Sequence, residues 1–290
     1  MRLPVGIETT LRDKFKIEPK DVQPCVGGDI NHAAQIATAD GLLFIKWNEN
    51  SLPGMFTAEV NGLKILRDSK TLRVPEVIAV HEAEGDTPAF LVLEWLESGQ
   101  ANLQTPEKFG QGLAALHRQT APQHGLDHDN FIGSLPQTNK QQDSWVTFYA
   151  EQRIRPQMEI ARQKGMLRPG RERMLEVLLA HLPKLIQNAP ASLLHGDLWG
   201  GNVMILANQQ PALVDPAVYY GNREVELAFT ELFGGFAKRF YDAYHATYPL
   251  EPGYPSRRAL YQLYPLMVHM NLFGGGYASR VDSILSQYVG

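Results

Sequence analysis

Cysteine is almost absent: of 290 residues only Cys25 carries a thiol, so no internal disulfide can form and a disulfide-stapled secreted scaffold is excluded. Charge of one sign is lacking too. Lys+Arg 27 against Asp+Glu 31 gives a net charge of -4, which excludes the basic footprint of a nucleic-acid binder, so an anionic ligand must be met locally. Apolar stretches such as Ala89 to Leu93 and Leu266 to Met270 fall far short of the roughly 18 residues of a membrane span. The opening Met1-Arg2-Leu3-Pro4-Val5-Gly6 has no apolar core of a signal peptide, and no repeat or heptad announces an oligomer. The expectation is a cytoplasmic monomer without nucleic-acid or membrane partners. What remains, 44% hydrophobic and 20% charged, is a globular composition with ample chain for one large domain or two lobes sharing a cleft.

The chain reads as two such lobes in sequence. A short helix over Ile7 to Phe15 precedes apolar runs at Gln23 to Val26, Ala33 to Ala37 and Leu42 to Trp47, with Asp40-Gly41 as a hairpin turn. Val60, Leu63 and Leu66 fall at helical spacing within Met55 to Leu66, and Val74 to His81 and Ala89 to Leu96 read as further strands. After Glu97-Ser98-Gly99 the pattern turns helical, at Pro106 to Leu116 and Ser144 to Gln163. The polar stretch from Gln123 to Gln142 reads as an ordered loop, and Pro249 to Pro255 as a loop between C-terminal helices.

The most informative segment is His195-Gly196-Asp197-Leu198-Trp199-Gly200-Gly201-Asn202, followed by the apolar run Ala212-Leu213-Val214 and Asp215-Pro216. In a phosphotransfer loop an Asp accepts the acceptor hydroxyl's proton, an Asn five positions later binds magnesium, and a second Asp at a strand end completes the metal site. Asp197, Asn202 and Asp215 fit those places. His-Gly-Asp alone is a common polar turn and Asp-Pro a strand terminator. Four residue types at fixed spacing, however, arise by chance in on the order of 10⁻⁵ to 10⁻⁶ of windows.

Such a loop demands a partner set that holds nucleotide phosphates. Gly27, Gly28 and Asn31 lie in a turn between two strands, where backbone N–H groups could face phosphate; Lys46 lies in the run Leu43 to Trp47, and Glu59 on the next helix. Taken alone, Lys46 reads more readily as an exposed edge charge, so its assignment depends on Asp197, Asn202 and Asp215. The strand from Phe90 through Glu94 to Leu96 has the form of a connector whose main chain pairs with an adenine edge, or of an ordinary buried strand. His195 reads as a loop peg in preference to a base, since the matching kinase residue is not the base. Glu226 and Glu231 orient the loop, meet an amine or are merely solvated. Phe233, Phe236, Phe240, Tyr241 and Tyr244 fall at helical spacings and read as packing.

These motifs, with Glu231-Leu232-Phe233-Gly234-Gly235 and His269-Met270-Asn271-Leu272-Phe273-Gly274-Gly275-Gly276-Tyr277, resemble the fructosamine kinase (ketosamine-3-kinase) family over essentially the whole chain. The resemblance implies an α+β, protein-kinase-like two-lobe fold, with a small antiparallel-sheet N-lobe over residues 1–97 and a mainly helical C-lobe over 98–290. It implies ATP and Mg²⁺ as cofactors and phosphorylation of the sugar 3-hydroxyl of a ketosamine built on ribulose, erythrulose or fructose, which destabilises the adduct and frees the amine. Asp197 is then the catalytic carboxylate, Asn202 and Asp215 the metal ligands, and Gly27, Gly28, Asn31, Lys46, Glu59, Glu94 and Leu96 the nucleotide site. Trp199, a sugar platform or a loop anchor, is tipped toward substrate contact, and His269 and Asn271 join it as acceptor-pocket candidates. Where many relatives carry a Cys in the glycine-rich loop this chain has Asp29, expected to point outward from the phosphates. Alternatives are a small-molecule kinase of aminoglycoside or choline type, and a nucleotide-binding pseudokinase.

Overall fold

A computed structural model describes residues 1–25 and 30–289. Helix α1 (Val5–Phe15) precedes strands β1 (Asp21–Pro24), β2 (His32–Ala37) and β3 (Leu42–Asn48), helix α2 (Met55–Asp68), and strands β4 (Val77–His81) and β5 (Ala89–Glu94). The five strands form one antiparallel sheet in the order β1-β2-β3-β5-β4. Alternation along the strands sorts the two faces. Ile45, Trp47, Phe90 and Val92 pack with Ile7 and Leu11 of α1 on the outer face, while Leu91 and Leu93 join Phe56, Leu63 and Leu66 of α2 in the main core. Lys46 stands between Ala33 and Leu91 in the middle of the sheet, 4% exposed, so the edge-charge alternative does not hold.

The rest is mainly helical: α3 (Thr105–His117), short strands β6 (Thr120–Ala121), β7 (Asn130–Ile132) and β8 (Leu135–Gln137), then α4 (Trp145–Phe148), α5 (Arg155–Gln163) and α6 (Pro169–Leu185). There follow β9 (Ala191–Leu194), β10 (Val203–Ile205), β11 (Pro211–Leu213), β12 (Tyr219–Gly221), α7 (Arg223–Thr230), α8 (Lys238–Thr247), α9 (Tyr254–Phe273) and α10 (Tyr277–Val289). The loop between α8 and α9 falls where the Pro249 to Pro255 cluster predicts it. Among the described residues no helix is long and apolar enough to cross a membrane.

Two departures from the sequence reading have physical causes. The helix predicted over Ser144 to Gln163 contains a π-helical segment, Tyr149–Ile154, between α4 and α5. Pro156 has no N–H to give the carbonyl of Gln152, and the Arg153 guanidinium donates to that oxygen instead, at 2.7 Å. The stretch expected to be a loop holds the antiparallel β7–β8 hairpin, whose polar residues are inside: Asn130, Gln137 and Asn139 are all buried.

His124, 3% exposed, lies against Trp145 and Phe148, and burial pushes its imidazole down to about 4. The folded chain therefore refuses a proton that the unfolded chain takes up below about 6.5, so stability is full above that pH and falls as pH drops toward 4. From pH 7 to pH 5 this single group should cost about 2 kcal/mol, read as a lower urea midpoint. In His124→Gln the difference between the two pH values should shrink by that amount.

Candidate active site

The loop from β9 to β10 carries the predicted motif, and its shape is set by internal bonds. His195 is buried; its Nε2–H donates to the Val214 carbonyl at 2.9 Å, and its Nδ1 accepts from the Asp197 N–H at 3.3 Å. Burial holds its pKa below the usual histidine range. A neutral ring with both nitrogens committed to the backbone is a loop peg, the role the sequence reading favours. Gly196 has φ 87°, and a Cβ there would run into the Ala217 carbonyl. Gly196→Ala should cost about 1–2 kcal/mol from the left-handed backbone alone, with the overlap on top, measured by chemical denaturation.

Glu226 of α7 fastens the same loop from behind. Its Oε1 accepts from the Gly196 N–H at 2.7 Å and its Oε2 from the His195 N–H at 3.2 Å. Oε2 also faces His117 Nε2 at 2.9 Å, and His117 Nδ1 meets the Tyr244 hydroxyl at 2.7 Å. Burial alone would raise the Glu226 carboxyl, but His117 and these donors bring it below its ordinary value. Of the three roles the sequence left open for Glu226, orienting the loop is the one its contacts match. Glu231 instead accepts from the Tyr254 hydroxyl at 2.8 Å and pairs with Arg258 at 2.7 Å.

Five predicted residues meet at this loop. Asn202 donates through Nδ2 to the Asp197 carbonyl at 2.8 Å and to Asp197 Oδ2 at 3.0 Å. Burial pushes the Asp197 carboxyl up to about 7; the Asn202 bond opposes this, and Asp215 and Glu226 add to it. Asp215 follows β11 and pairs through Oδ1 with Lys46 Nζ at 2.6 Å, and Lys46 reaches Glu59 Oε2 at 2.6 Å as well. Burial disfavours the Lys46 ammonium, yet Asp215 and Glu59 outweigh it and raise its pKa. Burial alone would raise Asp215 as well, but Lys46 brings it below the usual carboxylate value. Burial carries Glu59 up to about 7 against the pull of Lys46.

A cleft of about 450 Å³ joins these groups, lined by Asn31, Lys46, Glu59, Asp197, Asn202 and Asp215 at one end. At the other end Trp199, Phe233, His269, Phe273 and Tyr277 line it, with the hairpin residues Asn130 to Gly133 as a side wall. Trp199 is 41% exposed, and its indole lies over Gly201, where a Cβ would collide with the ring. His269 Nδ1–H donates to the Pro265 carbonyl at 2.8 Å, so Nε2 carries the free lone pair among Phe233, Phe273 and Tyr277. Phe233, which the sequence assigns to packing, lines the cleft; Phe240 and Tyr244 are buried.

Other predicted residues lie elsewhere. Asn271 is buried and does not line the cleft; its side-chain amide donates to the Gln157 carbonyl and Oε1 at 2.9 and 2.8 Å. Glu94 pairs with Arg73 and accepts the Glu76 N–H at 3.0 Å, while Leu96 packs with Leu206 and Ala212; neither lines the cleft. Gly27, Gly28 and Asp29 lie outside the described residues. Among the described residues no three His, Cys, Asp or Glu side chains are grouped to hold a metal by themselves. Asp215 and the Asn202 amide oxygen, left over when Nδ2 binds Asp197, are hard oxygen donors of the kind that suits Mg²⁺ when phosphate oxygens complete the shell.

A family model described as fructosamine kinase matches residues 6–290. A Synechocystis protein named as a ketoamine kinase is 41% identical over 285 residues, covering 97% of this chain and 94% of the relative. A protein-ribulosamine 3-kinase of Arabidopsis thaliana is 35% identical over 274 residues, covering 91% of this chain and 81% of the relative. The crystal structure of a protein described as a fructosamine-3-kinase from Haemophilus somnus superposes with a TM-score of 0.88 at 31% identity, covering 98% of this chain and 97% of that one.

Proposed function

The chain belongs to the fructosamine kinase family, with its protein-kinase-like fold, and on that premise we propose that it transfers the γ-phosphoryl group of ATP to the 3-hydroxyl of a ketosamine. The observation that carries the proposal is the convergence of Asp197, Asn202, Asp215, Lys46 and Glu59 on a single cleft whose far end is aromatic. In this reading residues 1–97 hold the nucleotide, with Gly27, Gly28 and Asn31 contributing, and 98–290 supply the loop and the acceptor pocket. The protein acts as a monomer in the cytoplasm, on the adduct of a lysine or small amine, and the phosphorylated adduct then releases its amine.

Asp197 orients the acceptor hydroxyl and takes its proton as the oxygen attacks the γ-phosphorus and ADP departs. Lys46, fixed by Glu59, neutralises phosphate charge. Asp215 and Asn202 would hold Mg²⁺, which would supply charge stabilisation to the phosphate groups. Trp199 offers its exposed face to the sugar, and His269 offers Nε2 as an acceptor for a sugar hydroxyl. Trp199→Ala should raise the KM for the ketosamine about tenfold and leave the KM for ATP within about twofold, measured by steady-state kinetics.

Magnesium-dependent ADP release tests the proposal, with ribulose-lysine, fructose-lysine and an aminoglycoside offered separately. Stimulation by a ketosamine alone supports it. Stimulation by the aminoglycoside alone keeps the kinase and replaces the acceptor, and ADP binding with no turnover on any acceptor favours a pseudokinase.

A further inference from the structure

The backbone at Asp215 is left-handed, with φ 53°, a conformation that costs an L-residue energy, and Pro216 restricts it further. A residue keeps such a conformation only where the chain on both sides is held. Before Asp215, the Val214 carbonyl accepts from His195 and the Val214 N–H donates to the Asn202 carbonyl at 3.1 Å. After it, the Ala217 N–H donates to the His195 carbonyl at 2.9 Å. Asp215 itself is held by Lys46 at 2.6 Å and its carbonyl accepts from Asn202 Nδ2 at 3.5 Å, and further restraints come from another element, the β7–β8 hairpin that walls the cleft. Gln137 Nε2 donates to the Ala217 carbonyl at 3.1 Å, and Asn130 Nδ2 to the Val218 carbonyl at 2.8 Å.

Both amides are committed to the protein. Gln137 Nε2 also donates to Asn130 Oδ1 at 2.8 Å, and Gln137 Oε1 accepts from the Tyr264 hydroxyl at 2.6 Å. Asn130 Oδ1 further accepts from Asn139 Nδ2 at 2.9 Å, and the buried Arg153 donates to Asn139 Oδ1 at 2.8 Å while lying over the Tyr219 ring at 3.9 Å. Asn130 borders the cleft, yet both polar atoms of its side chain are already bonded within the protein. A buried amide network of this kind fixes geometry.

We infer that Asn130 and Gln137 are positioning residues that hold Asp215 in its strained, Lys46-facing conformation, so that the wall of the acceptor pocket and the metal-binding segment form one hydrogen-bonded body. The inference rests on Asp215 being a magnesium ligand. It is tested on the full chain without ketosamine, by the magnesium concentration needed for half-maximal ADP binding in titration calorimetry. Gln137→Met and Asn130→Leu should raise that concentration about tenfold, and Tyr264→Phe, which removes only the support of Gln137, about threefold. Tyr149→Phe loses a comparable buried bond, to the Leu260 carbonyl at 2.8 Å, and should leave it unchanged. Should Gln137→Met or Asn130→Leu fail to fold, Tyr264→Phe decides. Variants that melt lower but keep the wild-type magnesium dependence would overturn the positioning role. A wild type whose ADP binding ignores magnesium would overturn the metal assignment itself.

Discussion

Asp197→Asn is expected to lower kcat by about 10²–10⁴-fold while ADP affinity stays within about twofold, because the amide keeps the carboxylate's size but cannot take a proton. Burial that lifts the Asp197 carboxyl to about 7 adds a pH signature. The base form is the deprotonated one, so kcat/KM should climb with pH through a limb near 7 in the wild type. The residual activity of the variant should lack that limb. Calorimetry for ADP and a pH series for turnover check both halves, and a variant within tenfold of wild type would remove Asp197 from the chemistry.

Lys46→Met is expected to cost both activity and stability. The ammonium is buried and lies 2.6 Å from both Glu59 and Asp215, and its removal leaves two carboxylates facing each other, one of them mostly enclosed. Breaking a buried pair in this way typically destabilises by about 3–5 kcal/mol, and losing charge stabilisation on the phosphates lowers kcat by about 10²–10³-fold. The sign of the pH dependence follows from Glu59, whose carboxyl is already lifted to about 7 by burial. Without Lys46 it rises further, so the folded variant holds a proton that the unfolded chain has lost above about 4.5. Stability of Lys46→Met should therefore fall as pH rises from 5 to 8, read by denaturant midpoints. A flat profile would mean that Glu59 stays ionised without its partner.

The phosphotransfer motif is legible in the sequence because its chemistry fixes residue types at fixed short spacings, as in Asp197 and Asn202. Lys46 is legible only through that motif, since a lysine in an apolar strand reads as an edge charge until β5 is seen pairing on its far side. The β7–β8 hairpin escapes because its buried residues are amides: Asn130, Gln137 and Asn139 read as surface loop, and only the bonds they make inside show otherwise. The loop-orienting role of Glu226 stays only one of three readings in the sequence because helix acids are commonly solvated, although every residue of α7 is buried. Phe233 falls at a packing spacing yet faces the cleft, and Asn271, between the cleft-lining His269 and Phe273 on one helix, is turned toward Gln157. Periodicity identifies the face of a helix that is covered, not whether protein or substrate covers it.

The central claim, transfer to the sugar 3-hydroxyl of a ketosamine, is tested most directly by phosphorus NMR of the wild-type protein incubated with Mg-ATP and ribulose-lysine or fructose-lysine. A new sugar 3-phosphate resonance, growing as ADP forms and missing with Asp197→Asn, is the result predicted. ADP formation without any phosphorylated ketosamine, or a resonance seen only when an aminoglycoside replaces the ketosamine, would contradict it.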